Sequence, residues 1–144
     1  ARILALRFDR ALPHFDCGEP IRYVVLLRAE RPIKRLRVGM TIYRRDGTPV
    51  GNSFSPEIEG MEQGAECEVA VTLPFDRLAP GAYHCGVSIG SGNNKSAFID
   101  YDGVLDTLHF EVSPERTANG TMASWAPTWG SIILPELRIE PLPV

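Results

Sequence analysis

Long apolar runs, a basic surplus and paired cysteines are all missing from this sequence. No apolar run approaches the length of a membrane span, and the first residues lack the pattern of a signal peptide. The formal charge of −3 and the pI of about 5.6 argue against nucleic-acid binding, which needs a basic stripe. With 44% hydrophobic and 23% charged residues in 144, the composition is that of one soluble globular domain.

The three cysteines are odd in number, widely separated and without a Cys-x-x-Cys pair. This usage is typical of reduced thiols in a cytosolic protein, and it excludes a disulfide framework. Cys67 and Cys85 fall among the apolar residues of predicted strands, and Cys17 falls in a loop. We therefore predict that all three are reduced.

The basic residues that the chain does have are concentrated in one span between residues 28 and 45. Most of them fall in predicted turns or at strand edges, where a charged side chain is usually solvated. We expect solvated charge for this set, which comprises Arg28, Arg31, Lys34, Arg35, Arg37, Arg44 and Arg45.

Motifs for catalysis, metals and nucleotides are also missing. Residues 91–96 end in Lys-Ser but lack the glycines of a phosphate loop, and Asp100, Asp102 and Asp106 do not have EF-hand spacing. His84 and His109 have no third ligand in place for zinc. We predict no cofactor, no metal and no enzymatic activity. A small hydrolase using His84 or His109 with a nearby aspartate is the remaining catalytic alternative.

Alternation of apolar and polar residues is present almost everywhere, and sustained helical spacing is not. Because side chains of a strand point alternately to opposite faces, each such segment offers one apolar face to a core. The pattern predicts strands at residues 21–28, 36–43, 66–73, 83–89 and 107–112. Short strands with turns at this spacing predict an all-β fold, a two-layer antiparallel immunoglobulin-like β-sandwich.

Turn residues divide the chain into three parts of one domain. Asp46-Gly47 is a hairpin signal, and Tyr83, two residues before Cys85, matches the tyrosine corner of immunoglobulin-type domains. We assign residues 1–112 to the sandwich core, 113–129 to a linker or loop, and 130–144 to a C-terminal strand that is swapped in a dimer if it reaches a partner. The chain starts without methionine, so we expect it to be a piece of a longer protein.

Aromatic and polar side chains on the outward parity indicate a ligand surface. Sugars pack apolar C–H faces on aromatic rings, and their hydroxyls bond to Asp, Asn, Arg and His side chains. The two tryptophans have the alternative role of plugging the end of the sandwich, and the exposed aromatics have that of a protein interface. The candidate carbohydrate-binding residues are Tyr43, His84, Ser88, His109, Tyr101, Asp100, Trp125 and Trp129.

The order of several short motifs resembles a known family. Gly-Glu-Pro-Ile at 18–21 is followed by Val-Gly-Met at 38–40 and Arg-Asp-Gly at 45–47. Leu-Ala-Pro-Gly-Ala-Tyr at 78–83, Asp-Tyr-Asp at 100–102, Leu-His-Phe-Glu-Val at 108–112 and Gly-Ser-Ile-Ile-Leu at 130–134 come next. Their order over residues 3–137 resembles the C-terminal carbohydrate-binding domain of Wzt-type ATPases of O-antigen polysaccharide ABC transporters.

That resemblance implies an immunoglobulin-like sandwich that binds the exported glycan, often at its modified non-reducing end. It implies a homodimer with an exchanged C-terminal strand, at the cytoplasmic face of the bacterial inner membrane. The implied partners are lipid-linked O-antigen and the ATPase and membrane subunits of the transporter, without nucleic acid. The ATPase motifs are missing from this chain, and related domains occur in other polysaccharide-assembly proteins. A structural or dimerisation domain of such a protein is the alternative function.

Overall fold

The fold is almost entirely β, as the alternating pattern predicts. A computed structural model describes residues 1–114, 116–117, 120–121 and 124–143, and no α-helix occurs in these ranges. A single 3-10 turn spans Pro127–Trp129. The strands are β1 (Arg2–Phe8), β2 (His14–Asp16), β3 (Ile21–Arg28), β4 (Ile33–Arg44), β5 (Pro49–Phe54), β6 (Ile58–Met61), β7 (Glu66–Leu73), β8 (Gly81–Ser91), β9 (Ile99–Ser113), β10 (Arg116–Thr117) and β11 (Gly120–Thr121).

Two sheets pack against each other and form the predicted sandwich. One has the order β1-β3-β7, and the other has the order β2-β9-β8-β4-β5, with β6 paired to the beginning of β4. Pairing is antiparallel except between β2 and β9, which run parallel. A small β10-β11 hairpin follows the end of β9.

The core lies between the sheets and is filled by the inward-facing side chains of β3, β4, β8 and β9. Phe15 on β2 and Phe110 on β9 meet edge to face, with ring centroids 5.7 Å apart. Burial of this apolar area provides the main driving force for folding. The largest side chains in the core include Phe15, Ile21, Tyr23, Leu27, Leu36, Met40, Tyr83 and Phe110.

The predicted strand bounds agree best with the structure where apolar and polar residues alternate without interruption. Strands β3 and β7 begin and end where the alternation does, whereas β4 and β8 extend beyond it at both ends. Strand β9 begins eight residues before the predicted 107, at Ile99, because bulges interrupt its alternation. The short strands β2 and β6 have too few residues for a period to be visible.

Tyr83 forms the predicted corner. Its hydroxyl donates to the backbone carbonyl of Ala79 at 2.5 Å, and its ring is stacked with that of Phe110. This bond fixes the entry of the chain into β8 and satisfies a hydroxyl that is otherwise costly to bury.

All three cysteines lie within the described residues, and none of them is disulfide-bonded. Cys85 is buried, and Cys17 and Cys67 are half-buried. Across the described ranges, no helix is long and apolar enough to cross a membrane.

The C-terminal segment makes few backbone contacts within this chain. Leu78 and Ile132 form an isolated bridge, with hydrogen bonds from Ala79 N to Ser131 O and from Ile133 N to Arg77 O. Beyond Ile133 the chain forms no strand as far as residue 143. The predicted strand in 130–144 thus reduces to one bridge here, and its pairing with a partner stays a prediction. The predicted linker contains β10, β11 and the 3-10 turn, and residues 115, 118–119, 122–123 and 144 lie outside the described ones.

Candidate functional site

A glycine floor runs across the outer face of the six-stranded sheet. Ser88 on β8 lies opposite Gly39 of β4 on one side and Gly103 of β9 on the other. Gly39 is in turn paired with Phe54 of β5. Directly paired residues share a face, so this row places one hydroxyl between two glycines, with an aromatic ring at the end. Glycine in a strand often marks a place where another chain approaches the backbone closely.

The next row is built in the same way. Thr41 on β4 is paired with Asn52 of β5 and with Gly86 of β8. Asn52 Nδ2 donates to Thr41 Oγ1 at 2.7 Å, which restrains the position of the amide. A Cβ at Gly86 would lie 3.0 Å from Leu105 Cδ2 and 3.3 Å from Tyr43 Cε2. Gly86 is therefore the bottom of a trough between these two side chains.

The trough encloses about 470 Å³, which is the size of a small-molecule site. Leu105 is 75% exposed and Phe98 is 53% exposed, so both present apolar surface to solvent. Hydroxyl, amide and carboxyl groups come from Thr41, Ser88, Asn52 and Asp100. Apolar walls with few polar groups suit a ligand that has both C–H faces and hydroxyls.

Three rings continue the outer face toward the other end of β8. The rings of Tyr43 and His84 are stacked with centroids 5.4 Å apart at an interplanar angle of 13°. His84 is also stacked with His109, at 5.3 Å and 28°. His84 and His109 therefore meet across the sheet, and Tyr43 extends their contact to a platform of three rings.

Bulges in β9 place Asp106 beside these histidines. The step from Cys85 to Tyr83 on β8 is opposite the longer step from Thr107 to Phe110 on β9. Asp106 itself has a φ of 53°, in the left-handed region. Its carboxylate oxygen Oδ1 lies 3.1 Å from His109 Nε2. Bulges are frequent next to binding sites because they redirect side chains.

His84 faces the same carboxylate from the neighbouring strand. Its Nδ1 atom is buried and has no hydrogen-bond partner among the described residues, with Asp106 Oδ1 3.7 Å away. A second cleft of about 450 Å³ opens here and is also lined by His14 and Arg45. His14 Nδ1 lies 3.6 Å from a Glu111 carboxylate oxygen. This end of the face therefore contains paired polar groups around the ring platform.

Arg37 contradicts the expectation of solvated charge. Its side chain is fully buried at the far end of the trough, with the guanidinium 5.0 Å from the Phe54 ring centroid and 5.9 Å from that of Phe98. Nε donates to the Gly92 carbonyl at 2.8 Å, and Nη2 donates to Asp100 Oδ1 at 2.6 Å. The expectation fails because residues distant in sequence cover the outward parity of β4.

The predicted site residues fall into three groups. Tyr43, His84 and His109 form the ring platform, and Ser88 and Asp100 line the trough. The third group lies elsewhere and consists of Tyr101, Trp125 and Trp129.

Tyr101 is excluded from the trough. It packs against the core, and its hydroxyl donates to the carbonyl of Arg35 at 3.1 Å. The bulge between Asp100 and Asp102 turns it inward.

The two tryptophans meet edge to face at 5.4 Å beyond the platform. Trp125 Nε1 donates to the Gly130 carbonyl at 2.8 Å. Trp125 lines a cleft of about 390 Å³ that shares Arg45, Ala82 and Tyr83 with the histidine cleft. The tryptophan pair therefore borders the candidate site at its end.

The sequence-based site omitted Asn52, Phe54, Phe98, Leu105 and Asp106. Asn52 and Phe54 share the outward parity of β5, and the Asp46-Gly47 hairpin signal places β5 beside β4. That signal was sufficient to find both. Leu105 and Asp106 depend on the bulges, which leave no trace in the alternation.

The aspartates do not form a cation site. Asp100 is bonded to Arg37, and Asp102 accepts from Ile3 N at 2.8 Å and from Gly103 N at 2.9 Å. Asp106 faces the histidines. In the described ranges, no group of three or more His, Cys, Asp or Glu side chains is arranged to hold a metal.

Comparison with known proteins supports the architecture. The chain is similar to a structure described as the C-terminal domain of Wzt, with a TM-score of 0.72, 18% identity, and coverage of 96% of this chain and 83% of that one. Weaker likenesses are to the CARDB domain of a Pyrococcus furiosus protein (TM-score 0.41, 11% identity, 74% and 87% covered) and to a β-glucosidase from Listeria innocua (0.44, 14%, 75% and 16%). No curated protein sequence gives a match.

A family model described as the Wzt C-terminal domain matches residues 1–124. This span contains both sheets, the trough and the ring platform. Because it covers well over half of the sequence, the chain belongs to the Wzt C-terminal domain family.

Proposed function

We propose that this domain is the non-catalytic polysaccharide-binding part of an O-antigen ABC transporter. Family membership supports the transporter assignment. The observation that carries the binding role is the trough with its ring platform, where Tyr43, His84 and His109 stack beside a glycine floor. Rings and uncharged polar groups along an open trough are suited to a hydrated polymer.

The carboxylates of the site support binding over hydrolysis. Glycoside hydrolysis generally requires two carboxyl groups that flank the scissile bond, one of them able to act as an acid. Here Asp100 accepts a hydrogen bond from Arg37, and Asp106 pairs with His109 in the neighbouring cleft. The hydrolase that uses His84 or His109 is therefore the weaker alternative.

The proposed partners are lipid-linked O-antigen and the ATPase and membrane subunits of the transporter. The proposed location is the cytoplasmic face of the bacterial inner membrane, where the growing glycan becomes available for export. The predicted reduced state of the cysteines supports this location, and the formal charge of −3 gives no support to nucleic-acid binding.

Titration calorimetry with the O-polysaccharide of the source strain tests the binding role. Tyr43→Ala and His84→Ala each remove one ring of the platform, and we expect affinity to fall about tenfold or more. Both variants should remain folded because neither side chain belongs to the core between the sheets. Phe75→Ala is the matched control, since Phe75 is an exposed aromatic ring outside the trough. Unaltered affinity in both ring variants would move the site to Trp125 and Trp129.

We also propose that the chain forms a homodimer through its C-terminal segment. The segment beyond the Ile132 bridge contains apolar side chains that are 73–93% exposed, an unusual amount for a monomer. Exchange of such a segment between copies is a low-cost route to a symmetric dimer. The exposed set comprises Leu134, Leu137, Ile139 and Leu142.

Truncation after Ile133 tests the dimer, because it keeps the hydrogen bonds of residues 131–133 to 77–79. Light scattering should show a dimer for the full chain and a monomer, or insoluble protein, for the truncated chain. The replacement of Glu136 and Glu140 by Gln in the full chain is a control that keeps the apolar side chains. A folded truncated chain that is still a dimer would place the interface elsewhere.

A further inference from the structure

Arg37 organises a small set of polar groups at the end of the trough that is lined by Phe54 and Phe98. Its Nη1 atom donates to Ser88 Oγ at 3.2 Å, and its Nη2 atom donates to Asp100 Oδ1 at 2.6 Å. The two acceptors are thus held by the two terminal nitrogens of one planar guanidinium. Because that guanidinium is buried and bonded to Gly92 O as well, both acceptors have defined positions.

The bonds to Arg37 decide what each group can offer to a ligand. A serine hydroxyl has one donor hydrogen, and an arginine side chain has donors only. Since Arg37 uses an acceptor lone pair of Ser88, the hydroxyl hydrogen of Ser88 remains to be donated. An ionised aspartate accepts only, and Asp100 is half exposed with Oδ1 bonded to Arg37. A donor and an acceptor therefore lie side by side.

The surroundings of the pair restrict the shape of a ligand. Ser88 has glycines on both sides in its row, so a ring can approach the backbone there. The rings of Phe54 and Phe98 lie 5.9 Å apart at this end, and Phe98 is half exposed. A flat ligand with an apolar face and two adjacent hydroxyls would satisfy all these groups.

We propose that Ser88 and Asp100, positioned by Arg37, form a subsite for an unsubstituted vicinal diol of one sugar unit. One hydroxyl accepts from Ser88 and its neighbour donates to Asp100. A unit that is acylated or deoxygenated at either carbon leaves one of the two groups unpaired. Sites built to bond a hydroxyl discriminate strongly against analogues that lack it. This inference rests on the proposed polysaccharide binding and specifies the sugar chemistry recognised there.

Periodate cleaves vicinal diols, so it provides the test. Calorimetry would compare the O-polysaccharide of the source strain with the same material after periodate oxidation and borohydride reduction. Ser88→Ala should bind native polysaccharide about tenfold more weakly and should cause no further loss with the oxidised material. Thr72→Ala, which removes an exposed hydroxyl from the other sheet, is the matched control and should behave like the unaltered domain.

Asp100→Asn is a second variant that keeps an acceptor oxygen for Arg37 and so protects the fold. It replaces the second acceptor by an amide donor, and native binding should fall several-fold. Equal losses for Ser88→Ala with native and oxidised polysaccharide would overturn the diol subsite. So would unchanged affinity in Ser88→Ala and Asp100→Asn while Tyr43→Ala binds weakly, and in that case polysaccharide binding itself would stand. Absence of binding by the unaltered domain would overturn both proposals.

Discussion

On the outer face of the three-stranded sheet, arginines of β3 pair with carboxylates on β7 and just after β1. Arg28 on β3 donates to Glu66 on β7 at 2.6 Å, and Arg22 lies 2.8 Å from Asp9. All four side chains remain about half exposed to solvent. The outer face of the six-stranded sheet has glycines, rings and hydroxyls instead, and Arg37 is buried within it.

The difference between the two outer faces supports the proposal that the six-stranded face binds the ligand. Paired surface charges satisfy one another and add little to stability, so the three-stranded face is complete in itself. The six-stranded face exposes Leu105 and Phe98 and orients hydroxyls toward an open trough. Apolar exposure beside fixed polar groups typically marks a binding surface. Each prediction below tests this contrast between the two sheets.

The cysteines should give the largest difference between the sheets. Burial raises the pKa of the Cys85 thiol on β8 to about 12, and burial also raises that of the Cys67 thiol on β7, which remains half exposed. Because only the thiolate is alkylated, Cys85 should react only when the domain unfolds. We expect it to react on the order of a thousandfold more slowly than Cys67 at pH 8. Iodoacetamide labelling followed by peptide mass spectrometry measures both rates, and similar rates would show that the six-stranded sheet opens readily.

Two carboxylates of similar exposure should differ in their contribution to stability. Asp100→Ala leaves the buried Arg37 without its charge partner and should cost about 3 kcal/mol of unfolding free energy. Glu66→Ala leaves a half-exposed Arg28 and should cost less than about 1 kcal/mol. Urea denaturation of both variants measures the difference. Equal costs would mean that water reaches Arg37, contrary to the structure.

Filling the floor should remove binding without weakening the fold. A Cβ at Gly103 would meet no protein atom closer than 3.7 Å, so Gly103→Val fits the chain and projects into the trough. Valine is favoured in strands, so the melting temperature should stay within a few degrees or rise. Affinity for the O-polysaccharide should fall about tenfold or more. Ala70→Val on the outer face of β7 is the control and should bind normally, and full affinity in Gly103→Val would exclude the trough as the site.

The smallest effect should come from the ion pairs of the three-stranded face. Arg28→Gln should change the unfolding free energy by less than about 0.5 kcal/mol and leave polysaccharide affinity unchanged. Raising the salt concentration should likewise lower the unfolding free energy only slightly, because salt screens the exposed ion pairs and not the buried Arg37. Calorimetric binding and thermal melts at low and high salt provide the measurement. A large loss of affinity in Arg28→Gln would show that the ligand binds the three-stranded sheet, contrary to the proposal.

Sequence alone was sufficient for the architecture and for the outward placement of part of the candidate site. Alternation fixes which residues of β3 and β7 face inward, and it correctly placed Tyr43, His84 and Ser88 on the outward parity. The alternation is readable from neighbouring residues alone, because one face of each strand is buried and requires apolar side chains at every second position.

The remaining features depend on contacts that are distant in sequence. Arg37 is buried because Phe54 and Phe98 cover it, and neither is near it along the chain. Asp106 reaches the histidines because β9 bulges, and Tyr101 turns inward for the same reason. A β-bulge adds one unpaired residue to a strand, and the strand pairing continues on both sides of it. The alternating sequence pattern does not show where such a residue lies.

The three register shifts of β9 against β8 have a consequence for divergence among related domains. Each shift takes up a residue on β9 that has no partner on β8, so the core does not fix the length of the strand between residues 99 and 110. Gain or loss of one residue there would rotate the outward set while Phe110 and Val112 stay inside. A change of length in this single strand would therefore reshape the candidate site, and the hydrophobic interior would not have to change with it.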